Sequence, residues 1–429
     1  MAMDLYKSKL SELSRALVQA QKPIRILDAI KWDPQTIEFF HKTNFKEIPD
    51  LGPTYYEKNS LGFDPKKKIE EFRDLAAKAK RELGENDRLA KILLRNCDEY
   101  EKVVRMLMGR GTREFYNFSR LLYGSPKEFF GDNSTTLQGL GVMLGEILNN
   151  LEGHSLGKVF EKTVPAEKLV EELNRRLKGY FGQDEVRVKL DDGILSDAAA
   201  GSDYIKIRRG LYFSERDIDI FEVHEGWVHV GTTLNGQHQP YANFLSKGPP
   251  CTTSIQEGLA VTMEVFSFVS IPERAKRINR RLIVCDMAES GANILEIINY
   301  FKDLGQGDGE SLKNAQRVFR GGVIGGGGPF TKDISYCKGF VNVYNFVRSC
   351  IRHGEPELLP FLFAGKVTLE DVRVLFDYHG EGVIDKPRYL PKHFSDLNAL
   401  SVWMAFSNFL NRMSLDKIHQ HFGKQDKVG

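Results

Sequence analysis

Ten residues constrain this chain more than any others: Phe221-Glu222-Val223-His224-Glu225-Gly226-Trp227-Val228-His229-Val230. They fall one residue away from HExxH, the helical pattern in which two histidines hold zinc and the glutamate acts as a base. Here the second histidine follows the first by five, so the pattern is HExxxH. At roughly 100° per residue, a spacing of four leaves two side chains about 40° apart around a helix, and a spacing of five about 140°. A regular α-helix therefore cannot present both imidazoles to one ion. A wide i→i+5 turn absorbs the extra residue and realigns them, and such turns gather at functional sites. Gly226 lowers the cost of that distortion because it carries no Cβ. Without the turn, the stretch is a surface helix with two unrelated histidines.

A third ligand type lies downstream. Glu257, in Ser254-Ile255-Gln256-Glu257-Gly258-Leu259-Ala260, follows His224 by thirty-three residues. Catalytic zinc sites hold three protein ligands and keep a fourth position for water, and two histidines plus a glutamate is one such set. His238 is the rival, because one extended pattern places a third histidine six residues after the second, behind a glycine. Here the gap from His229 is nine and Thr232 stands where that glycine would be, so Glu257 is preferred. Glu264, two turns beyond Glu257 on the same helix face, is placed either to orient a ligand imidazole or to make a structural salt bridge.

HExxxH followed by QEGLA resembles the QEGLA-motif protein family, which includes the microtubule-associated tyrosine carboxypeptidases. Asn235-Gly236, Gln239-Pro240, Phe319-Arg320-Gly321-Gly322, Phe330-Thr331-Lys332-Asp333-Ile334-Ser335-Tyr336 and Ala364-Gly365-Lys366-Val367 extend the likeness. Pro53-Thr54-Tyr55-Tyr56 and Leu122-Tyr123-Gly124 fit it less specifically, and it spans most of residues 40–380. The resemblance implies zinc held by His224, His229 and Glu257, with Glu225 catalytic. It also implies peptide substrates, and removal of a residue from a peptide or protein C-terminal tail. The chain departs from the family at Gly226-Trp227-Val228, where a small Gly-Thr pair is usual; the substitution is expected to alter the pocket. Some members of the family are described through an effect on flavohaemoglobin expression, which keeps open a second reading: a non-catalytic zinc-containing regulator or interaction protein. The intact Glu225 argues against it, since a purely structural site needs no base.

The remaining signals set the frame. With 60 Lys+Arg against 58 Asp+Glu in 429 residues, the net charge of +2 argues against nucleic-acid binding as the main activity. No run of eighteen apolar residues predicts a membrane span, and the N-terminus lacks the layout of a signal peptide. Cys97, Cys251, Cys285, Cys337 and Cys350 are widely spaced and odd in number, as expected of reduced thiols in a cytoplasmic protein. The patterning predicts an α+β chain, mostly helical, with a zincin-like (gluzincin-type) core. Expected parts are a helical extension over 1–40, a helical layer over 41–165, a catalytic core over 166–380 and C-terminal helices over 381–429. Apolar periodicity predicts helices over 5–20, 66–82, 87–109, 112–123, 135–150, 166–181, 254–269 and 272–304, the last broken near Gly291. Alternation in Val186–Leu190, Tyr204–Arg208 and Leu211–Phe213 predicts a small, mostly antiparallel sheet just before the metal helix. Its basic residues Lys206, Arg208 and Arg209 read as edge protection. Ser214 is expected to cap the metal helix and Ser254 the QEGLA helix.

The glycine run 321–328 lacks the Lys-Ser/Thr ending of a phosphate loop and is read instead as a flexible wall beside a substrate. Around it, Arg320 and Lys332 are candidates for binding a substrate carboxylate, and Tyr336 for steadying an oxyanion. Asp333 is assigned to a helix N-terminus. His41, His154, His419 and His421 lack partners at ligand spacing and are read as surface residues.

Overall fold

The computed structural model describes residues 2–151, 156–182, 184–411 and 413–422; His154 lies outside them. The chain is mostly helical, with a small sheet placed directly before the metal helix. The N-terminal helix Ala2–Gln21 docks on the body, burying Leu10, Leu13 and Leu17 on its 3.6-residue stripe. Ser14 on the same helix accepts from Phe244 N at 2.8 Å and donates to Asn243 at 2.5 Å. It thereby grips the loop between the helices that carry the candidate ligands His224, His229 and Glu257.

Helices Pro65–Leu83, Arg88–Met108, Arg113–Tyr123 and Leu137–Asn150 follow, each within two residues of its expected bounds. Asp87 caps the second of these, accepting from Ala90 N at 2.7 Å. Short helices Pro34–Lys42 and Pro53–Glu57 come between the N-terminal helix and Pro65–Leu83 in the chain; Asp33 caps the first and proline opens both.

The strands are β1 Val164–Pro165, β2 Arg187–Asp191, β3 Ala198–Ala200, β4 Tyr204–Arg208 and β5 Tyr212–Phe213. β1 pairs antiparallel with β5, and a three-stranded sheet runs β2-β4-β3. Within it β3 is antiparallel to β4 and β2 is parallel to it, so two of the three pairings are antiparallel. The basic residues of β4 therefore guard no edge: β4 is the middle strand, and Lys206 pairs with Asp191 of β2 at 2.7 Å. The edges are β2 and β3, the latter a run of three alanines that alternation does not reveal.

Ser214 caps the Glu215–Phe221 helix through a complete capping box with Asp217. That helix widens into a π-helical turn over Glu222–Val230 and returns to α over Gly231–Gln237. The QEGLA helix runs Pro250–Phe266, starting at Pro249-Pro250 four residues before Ser254. Proline suits a first helical turn, where the missing N–H has no partner to lose. Next come Pro272–Glu289 and Ile294–Asp303, broken at Gly291 as expected, and then Asp308–Phe319. Helix Ser335–Arg352 follows a short 3₁₀ turn, Thr331–Ile334. The C-terminal tail contributes Leu369–Gly380, Leu397–Leu410 and Leu415–Phe422. No helix among the described residues is long and apolar enough to cross a membrane.

One crossing fixes the QEGLA helix. A Cβ on Gly258 would fall inside the Gly339 carbonyl, and one on Gly339 inside the Ser254 carbonyl. Two helix backbones thus touch one residue away from Glu257. Gly258→Ala is expected to cost about 3 kcal/mol or more of stability by overpacking. Gly380→Ala, with nothing within 4 Å of the added Cβ, is expected to stay near neutral. Chemical denaturation checks both, and equal midpoints for the two variants would contradict the crossing.

Candidate metal centre

The widened turn does what the HExxxH spacing demands. Gly231 N bonds back to Gly226 O, five residues earlier, so one residue is absorbed between the histidines. Gly226 makes room as well: its missing Cβ leaves space for Leu177 from the Ala166–Phe181 helix. His224 and His229 consequently come together, with ring centroids 4.9 Å apart and planes at 82°. Glu257 reaches both, its Oε2 lying 3.5 Å from His224 Nε2 and 3.5 Å from His229 Nε2.

Candidate ligand atoms of these three residues lie within 4.8 Å of one another. Two atoms bound tetrahedrally to zinc at 2.0–2.1 Å stand roughly 3.3 Å apart, so the 3.5 Å spacings fit one such ion with little movement. Two nitrogens and one carboxylate oxygen also form a donor set that suits zinc. His238 stands apart: its Nε2 faces Asp184 at 2.7 Å, half-exposed.

Each candidate ligand is held from behind. His224 Nδ1 lies 2.6 Å from Glu264 Oε1, an arrangement in which Nδ1 carries the proton and Nε2 keeps its lone pair for a metal. Arg274 grips Glu264 with two bonds, 3.1 Å from Nε and 2.8 Å from the terminal nitrogen. Burial alone would raise the Glu264 carboxyl, but Arg274 and His224 outweigh it and hold the group down to about 2. Glu257 Oε1 accepts from Lys332 Nζ at 3.1 Å, leaving Oε2 toward the histidines. Here too burial is outweighed, by Lys332 and both imidazoles, and the carboxyl stays well below its usual range. Under His229, Lys366 Nζ donates to the backbone carbonyl at 2.8 Å. Burial pushes that ammonium down, to about 7.

Glu225 is half-buried, and its Oε2 accepts from Ala200 N of β3 at 2.9 Å. It opens with His224 and Tyr336 onto a cleft of ≈ 570 Å³ that includes open solvent. The Tyr336 ring stacks on His224, 6.3 Å between centroids, and the Arg281 guanidinium lies over the same ring, 4.5 Å from its centroid. The opposite wall carries Ser196, Asp197 and Ala198, leading into edge strand β3. Arg274, Arg277, Arg281, Lys313 and Arg317 also face this cleft.

The basic wall was legible only in part. Arg274, Arg277 and Arg281 stand at i, i+3 and i+7, one face of a helix, but the stripe gains meaning only beside the metal helix. The two expected carboxylate binders sit elsewhere. Lys332 is engaged by Glu257, and Arg320 is buried near the Phe330 ring, 5.7 Å away, outside the cleft lining. Asp333 does not serve a helix end alone; it binds Arg317 through two contacts of 2.6 and 3.0 Å.

The glycine run packs on the protein itself. Gly327 N donates to Ala288 O at 2.8 Å, Val323 pairs with Gly328, and a Cβ on Gly326 would strike the Gly291 carbonyl. These glycines serve close packing, and none lines the cleft. Trp227, at the departure from the family pattern, stacks on Tyr180 at 5.6 Å and also stays off the cleft lining.

Fold and site together define a mostly helical α+β protein whose largely buried His–His–Glu group could hold a metal ion beside a half-buried glutamate. Residues 38–412 match the model of the microtubule-associated tyrosine carboxypeptidase family, and the chain belongs to that family. Membership brings with it a peptidase activity of carboxypeptidase type. No curated protein matches the chain.

If Glu264 sets the His224 tautomer, Glu264→Gln should weaken zinc binding by about 10- to 100-fold. Chelator competition measures it, and an unchanged affinity would show that Glu264 only packs.

Proposed function

We propose that the chain is a zinc-dependent, carboxypeptidase-like peptidase with a zincin-like core, acting on the C-terminal tail of a peptide or protein. The observation that carries this reading is the convergence of His224, His229 and Glu257 within reach of Glu225 on one cleft. Zinc bound to the three residues would lower the pKa of a bound water towards about 7 and polarise the scissile carbonyl.

The protein's own groups do the rest. Glu225 takes the proton of the attacking water and delivers it to the leaving amine. Its bond from Ala200 N fixes one oxygen and aims the carboxylate. Tyr336 donates to the oxyanion as it forms, a role supported by its position at the cleft beside His224. A carboxypeptidase must also recognise a terminal carboxylate, and a guanidinium does so with paired donors. Arg281 suits that role better than Arg320 or Lys332, because two of its buried nitrogens, Nε and one terminal nitrogen, have no protein partner. The family name points to tyrosine as the released residue and to a microtubule protein as the substrate. Five free thiols fit the cytoplasmic setting that such a substrate requires.

Glu225→Gln should retain one zinc per chain and lose hydrolysis by about 10²- to 10⁴-fold. A mixed-peptide digest read by mass spectrometry checks it; full activity in the variant removes Glu225 from the mechanism. Wild-type protein that holds zinc and cleaves no peptide supports the regulatory alternative instead. In the same digest, Arg281→Gln should raise KM for peptides with a free C-terminal carboxylate. Amidated peptides should be cleaved poorly by both forms, and an Arg281→Gln profile equal to wild type would reassign the carboxylate site.

A further inference from the structure

Lys366 makes no ion pair among those described for this chain, yet its ammonium lies largely covered behind the candidate metal centre. Its Nζ has three acceptors: His229 O at 2.8 Å, Gln256 Oε1 at 2.8 Å and Thr232 Oγ1 at 3.0 Å. Three N–H bonds are the full complement of an ammonium. The partners are not a random set. His229 is a candidate ligand and ends the widened turn, Thr232 begins the next α-helical turn, and Gln256 directly precedes Glu257 on the other helix. One cation therefore spans the two elements that carry all three candidate ligands.

The backbone of Lys366 is fixed independently. Its N–H donates to Leu245 O at 2.6 Å, and a Cβ on Gly365 would strike Leu245, as would one on Gly236. Asn235 closes the same clamp, donating to Phe363 O and Tyr389 O at 2.8 Å each. The stem of Lys366 thus rises from a rigid base rather than a mobile loop.

A largely covered ammonium that hydrogen-bonds only neutral acceptors costs stability, and apolar residues of similar volume often replace such charges without loss. Lys366 is therefore a poor choice for stability alone. Its three bonds oppose the specific freedom that a π-helical turn has, which is to slip back by one residue into α-helix.

We propose that Lys366 is a positioning residue for the metal centre: by tying the His229 carbonyl and Thr232 to Gln256, it locks the widened turn in register with Glu257. This rests on the zinc-peptidase reading above. Resistance of the turn to slippage, and not catalysis as such, is what the ammonium supplies.

Zinc affinity by chelator competition, the visible spectrum of the cobalt-substituted protein and thermal stability of the metal-free protein test it together. Lys366→Met keeps the stem and removes the donors. It should melt within a few degrees of wild type, bind zinc about 10- to 100-fold more weakly and show a changed cobalt spectrum. Normal zinc affinity with an unchanged spectrum overturns the proposal, as does a stability loss with affinity intact. Should the methionine variant not fold, Lys366→Gln, which keeps a polar group but is too short to span all three acceptors, decides by the same titration. A several-fold weaker affinity supports the lock, and an unchanged one overturns it. Wild-type protein that takes up no zinc at all contradicts the zinc-peptidase reading first, which separates the two failures.

Discussion

Everything at this site depends on one local distortion, a helical turn wound to i→i+5 between His224 and His229. In an undistorted helix the two imidazoles would diverge by about 140°, and Glu257 would meet at most one of them. With the turn widened, both Nε2 atoms stand 3.5 Å from the same carboxylate oxygen. The distortion is supported on each side by small residues and short contacts. Gly226 admits Leu177, and Thr232 Oγ1 donates to the Val228 carbonyl at 2.6 Å. The Gly258–Gly339 crossing holds the partner helix at backbone contact.

Around this geometry the protein alternates buried charges. Arg274 backs Glu264, which backs His224; Lys332 backs Glu257; Arg317 backs Asp333. Each pair is desolvated, so its members interact strongly and neither can be removed cheaply. The arrangement leaves Oε2 of Glu257 directed at the histidines and aims Nε2 of His224 the same way. Outside this shell the cleft is lined by arginines, and Arg281 keeps donors without protein partners.

The sequence disclosed the most where spacing and chemistry agree. HExxxH demanded a five-residue turn, and Gly226 marked where it falls. Ser214 and Asp217 announced the capping box that starts the metal helix, and the 3.6-residue stripes placed the long helices closely. It disclosed less where tertiary contacts decide. β3 is three alanines, too small and uniform for an alternation signal, yet it supplies the N–H that holds Glu225. Lys332 and Arg320 stand out in the sequence by their charge, but burial and the nearest carboxylate determine where such charges point. Lys366 carried no spacing relation to the histidines, since 137 residues separate it from His229. The glycine run, suggestive of a ligand, answers to the neighbouring backbone of Ala288 and Gly291.

X-ray absorption spectroscopy on the zinc-loaded protein tests the central claim most directly. The account predicts a single zinc with two imidazole nitrogens at about 2.0–2.1 Å and carboxylate oxygen at about 2.0–2.2 Å, with one imidazole lost in His229→Ala. A spectrum with only one imidazole in the wild-type protein, or one unaltered by His229→Ala, would contradict the widened turn as the element that builds the site.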